Sequence, residues 1–507
     1  MARNQRNDNR PSRDRGHGGR SATGSTRRTR QSTAQTVAQA RRKERLDELR
    51  RQRDRTESAI PDKADRPDFG HRPNVAEVGE TSTGRRAGLI GGGVVVLLIA
   101  ALVVGYLTLG GPRSAPAAGG RPSTSAAAPA SMVDQQTMLS ADEASSIVDG
   151  SWTVQNDQAA DEKGAPVPAC LGDVSKDAPK PTETLIRTLS ADGDGKPTAL
   201  HLAEAYRTPE LATEAYALLA KALGECQLKG SYISGARVIS GLGDQATAIS
   251  LEDLIKDSHR AVVLNRTGRM INVVDVSATK SAPDLDKTAE ALGRLTDLQC
   301  TIAVGLCASA VQISDGPPPV AGDQPGFLAT ADIPQPTNGK GHWGGLEPGS
   351  PENVTTSGCE NVDFNALLAD NRTARSYVLD DNPKGMPKKF GIDEITLTMQ
   401  SKKDAETVAK SVVDNLKSCD SRLPTADVTG VEKVSGTGAD GAEIAGSIAA
   451  VNQKVSAEET SHYRVGIVAA GTKLVYTFMY REGDWDVTKD QWAMLTVRAG
   501  ERATQVR

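Results

Sequence analysis

Val412–Asp420, VVDNLKSCD, closes an apolar helical face on a cysteine, and Leu218–Gln227, LLAKALGECQ, does the same earlier in the chain. Ala405, Val408, Ala409, Val412 and Leu416 follow the 3.6-residue period of a helix with one buried side. A shift of 193 positions, from 419 to 226, sets these residues on Ala212, Ala215, Tyr216, Leu219 and Leu223, and Cys419 on Cys226, without a gap. Each helix has its own start signal. Ser401 with Asp404 three residues on has the pattern of a capping box, and Thr208 before Pro209 puts proline in the first turn.

The match extends outward from these helices. A strand precedes each, TALHLAEAY and EITLTMQ, and a further cysteine precedes each strand, Cys170 and Cys359. After each helix come SHRAVVLNRTGRMINVVDVS and SHYRVGIVAAGTKLVYTFMYRE, apolar alternation broken by a glycine turn, the pattern of a hairpin. Each copy closes on a helical segment, DLDKTAEALGRLTDLQC or TKDQWAMLTVRAGERA. Each opens on an apolar pair that leads to a tryptophan, MLSADEASSIVDGSW to Trp152 and FLATADIPQPTNGKGHW to Trp343. Pro334 and Pro336 weaken the first helix of the second copy. The element order predicts an α+β fold: two tandem copies of a mostly antiparallel sheet with packed helices, over 136–300 and 327–500.

The rest of the 507 residues is of a different kind. Before Ala87 there are 22 Lys and Arg against 12 Asp and Glu, which leaves 38 against 52 beyond it. The overall charge of −4 therefore describes neither part. Residues 1–86 have few large apolar side chains and are expected to form a disordered basic tail. Such a tail orients a membrane span by its charge and needs no specific nucleic acid. No catalytic domain fits in it.

Ala87–Pro112 carries no charge and is mostly aliphatic. In a helix it is long enough to cross a hydrocarbon core of about 30 Å, so one transmembrane helix is expected over 87–110, contacting membrane lipid. Arg85 and Arg86 flank its start and only Arg113 its end, which keeps the N-terminus cytoplasmic and the remainder extracytoplasmic. Ala115-x-Ala117 offers a competing signal-peptide reading, but 86 residues ahead of the apolar run favour an uncleaved anchor. Gly88-x-x-x-Gly92 and Ala101-x-x-x-Gly105 would let two such helices approach closely as a homodimer. Residues 111–135 read as a Pro, Ala and Ser tether, and 301–326, with DGPPPVAGDQPG at Asp315–Gly326, as an exposed linker between separable halves.

All six cysteines follow the span, the distribution of an oxidising compartment. An equivalent bond must exist in both copies, which pairs Cys170 with Cys226 and Cys359 with Cys419 and leaves Cys300 to Cys307. No CxxC is present and the outer histidines are scattered, so no metal or other cofactor is expected. Gly436–Gly441, GTGADG, matches a dinucleotide fingerprint in form only, because AEIAGSIAAV after it reads as a strand. SGLGDQA at the same place in the first copy is likewise a turn, and DGDGK at Asp192–Lys196 has Ala203 where a calcium loop needs glutamate. His259 and His462 have no nucleophile suggested near them. No catalytic residue is assigned and no enzyme activity is expected.

The LSADEASSIVDG opening, a cysteine after a short loop, a strand and the PELATEAYALLAKALGEC helix together resemble the extracellular sensor domain of mycobacterial PknH-type serine/threonine kinases. The likeness is clearer in the first copy than in the second. It implies a disulfide-held helix-and-sheet domain whose cleft receives an unidentified ligand. This chain lacks the kinase domain and doubles the sensor, so the resemblance carries over neither phosphorylation nor any binding residue. Richness in Ala, Gly and Arg accords with an actinobacterial source. The expected function is that of a membrane-anchored cell-envelope sensor or ligand-binding module with a cavity in each copy. The alternative is a structural or assembly factor that holds partner proteins.

Overall fold

A computed structural model describes residues 131–506 except 173, 175–177, 193–194 and 355. The basic tail, the span at 87–110 and the tether up to residue 130 lie outside the described residues. Among the described residues no helix is long and apolar enough to cross a membrane. Ser131–Arg507 belongs to one compact unit.

The first repeat runs α1 (Ala141–Ile147), β1 (Ser151–Gln158), β2 (Glu183–Asp192), β3 (Thr198–Ala205), α2 (Pro209–Gly224), β4 (Ser231–Ser240), β5 (Gln245–Asp253), β6 (Ser258–Thr267), β7 (Met270–Thr279), α3 (Leu285–Ala303) and β8 (Gln312–Asp315). The second runs β9 (Trp343–Gly345), β10 (Ala369–Leu379), β11 (Gly391–Met399), α4 (Lys402–Lys417), α5 (Cys419–Arg422), β12 (Ala426–Thr437), β13 (Glu443–Lys454), β14 (Thr460–Ala470), β15 (Lys473–Arg481) and α6 (Lys489–Thr504). The first sheet has the order β1-β2-β3-β7-β6-β5-β4-β8 and the second β12-β13-β14-β15-β11-β10-β9. Read from β9, the second sheet follows the path of the first strand for strand, and β8 is the one addition. Every neighbouring pair is antiparallel. The α+β repeat expected from the sequence is therefore the fold.

Both faces of each sheet are covered. Successive residues of a strand point to opposite faces, so Val262 and Leu264 meet α2, while Ala261 and Val263 meet α1 and α3. In the second sheet Val465 and Ile467 pack with α4, and Val468 packs with Trp492 and Leu495 of α6. This explains why the central strands are nearly unbroken apolar runs. Thr208 accepts from the Leu211 N–H and Ser401 from the Asp404 N–H, so both expected N-caps form. A short 3₁₀ turn at Thr330–Asp332 stands where α1 stands in the first repeat. Pro334 and Pro336 stop any longer helix there.

The segments expected to be exposed connectors are held against the repeats. Val133 is buried with Ala203, Met270 and Ala303, and the Met132 and Val133 N–H groups donate to Glu183. Gln312–Asp315 pairs with Ser240–Arg237 as β8, and Pro318, Ala321 and Gly326 are buried. A Cβ on Gly224 would lie 2.4 Å from the Pro319 carbonyl oxygen, so this turn of α2 must be glycine for the connector to pass.

Candidate functional site

Two buried polar arrangements recur at the same place in both repeats. In the first, the Leu139 N–H donates to His201 Nδ1 at 2.9 Å, which leaves the ring proton on Nε2, facing Asn272 Oδ1 at 3.2 Å. Arg187 donates from Nη1 to the Leu139 carbonyl at 3.2 Å and grips Asp157 with Nε and Nη2, each at 2.7 Å. In the second, the Leu328 N–H donates to Glu394 Oε2 at 3.1 Å, and Arg375 Nη1 reaches the Leu328 carbonyl at 3.5 Å. Arg375 Nη2 holds Asp323 at 2.6 and 2.7 Å. His201 faces Arg187 across the β2–β3 ladder, as Glu394 faces Arg375 across β10–β11. The 193-residue shift sets His201 on Glu394. Burial holds His201 neutral, with its pKa down at about 4. Burial also pushes Glu394 up to about 7, against the lowering effect of the Leu328 N–H, the Tyr377 hydroxyl and Arg375.

A second pair of acids joins each opening segment to its closing helix. Glu143 takes the Ser140 N–H and Arg294 of α3. Asp332 takes the Ala329 N–H at 2.9 Å, Arg498 Nη1 at 3.2 Å, and Arg502 through Nε at 2.8 Å and Nη2 at 3.0 Å. Arg502 also reaches out of its own repeat. Its Nη2 donates to the Gly224 carbonyl at the end of α2, 3.2 Å, and its Nη1 to the Pro319 carbonyl, 2.7 Å. A contact from Nη1 to Gln505 Oε1 at 3.4 Å completes the five donors of the guanidinium. Ala329 and Ala331 meanwhile complete the apolar layer around α2 of the first repeat. The repeats are thus joined through a buried charge and through shared core.

Beside this joint lies a cavity of about 370 Å³. Ser234–Arg237 of β4 with Asp315 forms one side, Val434–Thr437 of β12 another, and α6 contributes Val497, Arg498 and Glu501. Arg498 Nε lies 2.7 Å from Glu501 Oε2, both residues being buried, and burial raises the Glu501 carboxyl above its ordinary range. Arg237 is paired with Asp286 at 2.8 Å and with Asp315 at 2.6 Å. No histidine or cysteine lines the cavity; the hydroxyl residues Ser234, Ser435 and Thr437 and the paired arginines Arg237 and Arg498 are among its lining.

The cysteines stand apart from it. Cys170–Cys226, Cys300–Cys307 and Cys359–Cys419 are bonded, the pairing that the repeat requires. Cys226 and Cys419 are buried just beyond the last residues of α2 and α4, and fasten those helix ends to the segment leading into the sheet. Asp297 lies with Cys300 and Cys307, ligand atoms within 4.8 Å, but the disulfide occupies both sulfurs and leaves no thiolate for a metal. His259 contacts Asp257 at 3.7 Å, and His462 Nδ1 lies 2.7 Å from Asn452 Oδ1. The GTGADG and SGLGDQA segments are hairpin turns between β12 and β13 and between β4 and β5.

The site differs from the expected cleft in each copy: the cavity lies between the copies and takes residues from both. Its residues carry no motif, since three separate strand segments and one face of α6 from Ala493 to Glu501 supply them. The signal available was the second copy's closing helix, where Arg498, Glu501 and Arg502 occupy one face of a segment that otherwise packs on apolar strands. Comparison with protein-family models, with curated proteins and with solved structures finds no match to this chain.

Proposed function

We propose that the chain is a single-pass, membrane-anchored protein of the cell envelope whose paired outer repeats bind a ligand in the cavity between them, as a sensor or ligand-binding module without catalysis. The observation that carries this reading is the cavity itself. Its volume falls at the small end of ligand pockets, which run from about 300 to 1,000 Å³, and buried charge is balanced in its wall at the Arg498–Glu501 pair. The apolar segment at 87–110, the six cysteines beyond it and the resemblance to a kinase sensor domain support an envelope compartment for this reading.

The test is ligand-induced stabilisation. Fractions of envelope extract are scored for raising the unfolding temperature of the chain, then scored again on Val497→Trp, which adds bulk to the cavity wall from α6, where Val497 already lies against Gly436. A fraction that stabilises the native chain and not the variant supports the reading. Stabilisation retained in Val497→Trp, or none from any fraction, refutes it. A second reading, a rigid scaffold that holds partner proteins, is favoured by Arg502, whose buried contacts fix the repeats to each other.

A further inference from the structure

Strand β12 is the outermost strand of its sheet and has 12 residues, a long edge. Proteins protect such edges with bulges and charges. The first part of β12 has both: the register breaks between Thr429 and Glu432, Gly430 sits at φ 60°, and Glu432 and Lys433 carry charge. Val434–Thr437 has neither. It runs in even register against Gly446–Glu443, uncharged, and it is this part that lines the cavity.

The facing wall has the same character. β8 covers β4 only over Arg237–Ser240, so Ser234, Gly235 and Ala236 have no strand on that side among the described residues. Neither β13 nor β5 lines the cavity, so both strands meet it with their outer sides. On the outer side of an antiparallel strand, alternate residues direct their N–H and C=O groups away from the sheet. The Ala236 carbonyl already accepts from Arg237 Nη1 at 3.2 Å. Both arginines of the wall are committed to acids, Arg237 to Asp286 and Asp315, Arg498 to Asp332 and Glu501. Neither is free to neutralise a phosphate or a polyanion.

We infer that the ligand is an extended peptide segment, paired through its main chain to the open edge Val434–Thr437 and enclosed on the other side by Ser234–Ala236. This deepens the proposed function and rests on the cavity being a binding site. A neutral chain of alternating donors and acceptors is what an uncharged strand edge recognises. At about 3.3 Å per residue, the four edge residues match a peptide of about four residues.

The experiment pans a displayed library of random octapeptides against the full chain in detergent micelles. Enriched peptides are then measured on the wild type, on Ser435→Ala, which keeps the backbone donor, and on Ser435→Pro, which removes it. Expected is equal binding to wild type and Ser435→Ala, with about a tenfold or greater loss for Ser435→Pro and for peptides N-methylated at alternate residues. The methylated peptides are read on the wild type, so the result stands even where Ser435→Pro does not fold. Peptides that ignore both changes, or an unproductive library, overturn the inference. A set of non-peptide fragments is scored alongside by thermal shift on wild type and Val497→Trp. Fragments lost on Val497→Trp while no peptide binds would refute the peptide class alone; no binding of either kind would refute the cavity reading as well.

Discussion

Arg502 donates to both carboxylate oxygens of Asp332, at 2.8 and 3.0 Å, with neither side chain exposed, and the same guanidinium reaches the Gly224 carbonyl of the other repeat. Removing one partner of a buried ion pair strands the other charge, at a cost of about 3 to 5 kcal/mol. Arg502→Ala is therefore expected to lower the unfolding free energy by that amount. Urea denaturation measures it, and a double variant with Asp332→Ala should cost less than the sum of the two single changes.

His201 and Glu394, equivalent in the repeats, should give the stability opposite pH slopes. His201 titrates near 4 when folded and 6.5 when free. The unfolded chain alone takes up the proton between these values, so the His201 contribution is complete above 6.5 and is lost as pH falls towards 4. Glu394 titrates near 7 when folded and 4.5 when free. The folded chain alone keeps that proton between them, so its contribution is complete below 4.5 and is lost as pH rises towards 7. Each displacement is worth roughly 3 kcal/mol. Glu394→Gln should flatten the fall above pH 4.5, and His201→Gln the fall below 6.5, in chemical unfolding measured across this range. An unchanged slope in either variant would show that the group titrates normally.

Cys226→Ser and Cys419→Ser should cost similar amounts, because the bonds close sequence separations of 56 and 60 residues in equivalent places. About 2 to 5 kcal/mol is expected for each. Peptide mapping of unreduced protein should recover the three pairs, and a Cys226–Cys419 link would contradict the repeat.

The proposed single-pass topology, read from Arg85 and Arg86 before the apolar run and only Arg113 after it, predicts that protease added to intact cells removes the chain after Arg113 and leaves the basic tail. Protection of the outer repeats would refute that topology. Their release without protease would favour cleavage after Ala117.

Much of the fold was legible because it is written in local pattern. The spacing of Ala405, Val412 and Leu416, the caps at Thr208 and Ser401, and the glycine turns at 268 and 471 are decided by neighbours in sequence. The cysteine pairs followed because repetition removes most alternatives. The recurring lock was hidden because its conserved part is backbone: Leu139 and Leu328 are held through N–H and carbonyl, while the acceptor changes from His201 to Glu394. The joint was hidden for another reason. Proline and glycine in DGPPPVAGDQPG signal irregular backbone, and irregular backbone is usually exposed. Here Arg502, far along the chain, supplies the partner for the Pro319 carbonyl. No window of sequence contains both.

Limited proteolysis of the folded chain, with mass spectrometry across Asp315–Gly326, tests most directly whether the two repeats act as one unit around their shared cavity. The Pro319 carbonyl and the buried Pro318, Ala321 and Gly326 should protect this segment in the wild type, and Arg502→Ala should expose it. Early cleavage between Asp315 and Gly326 in the wild type, yielding two stable halves, would contradict the joint and the cavity built on it.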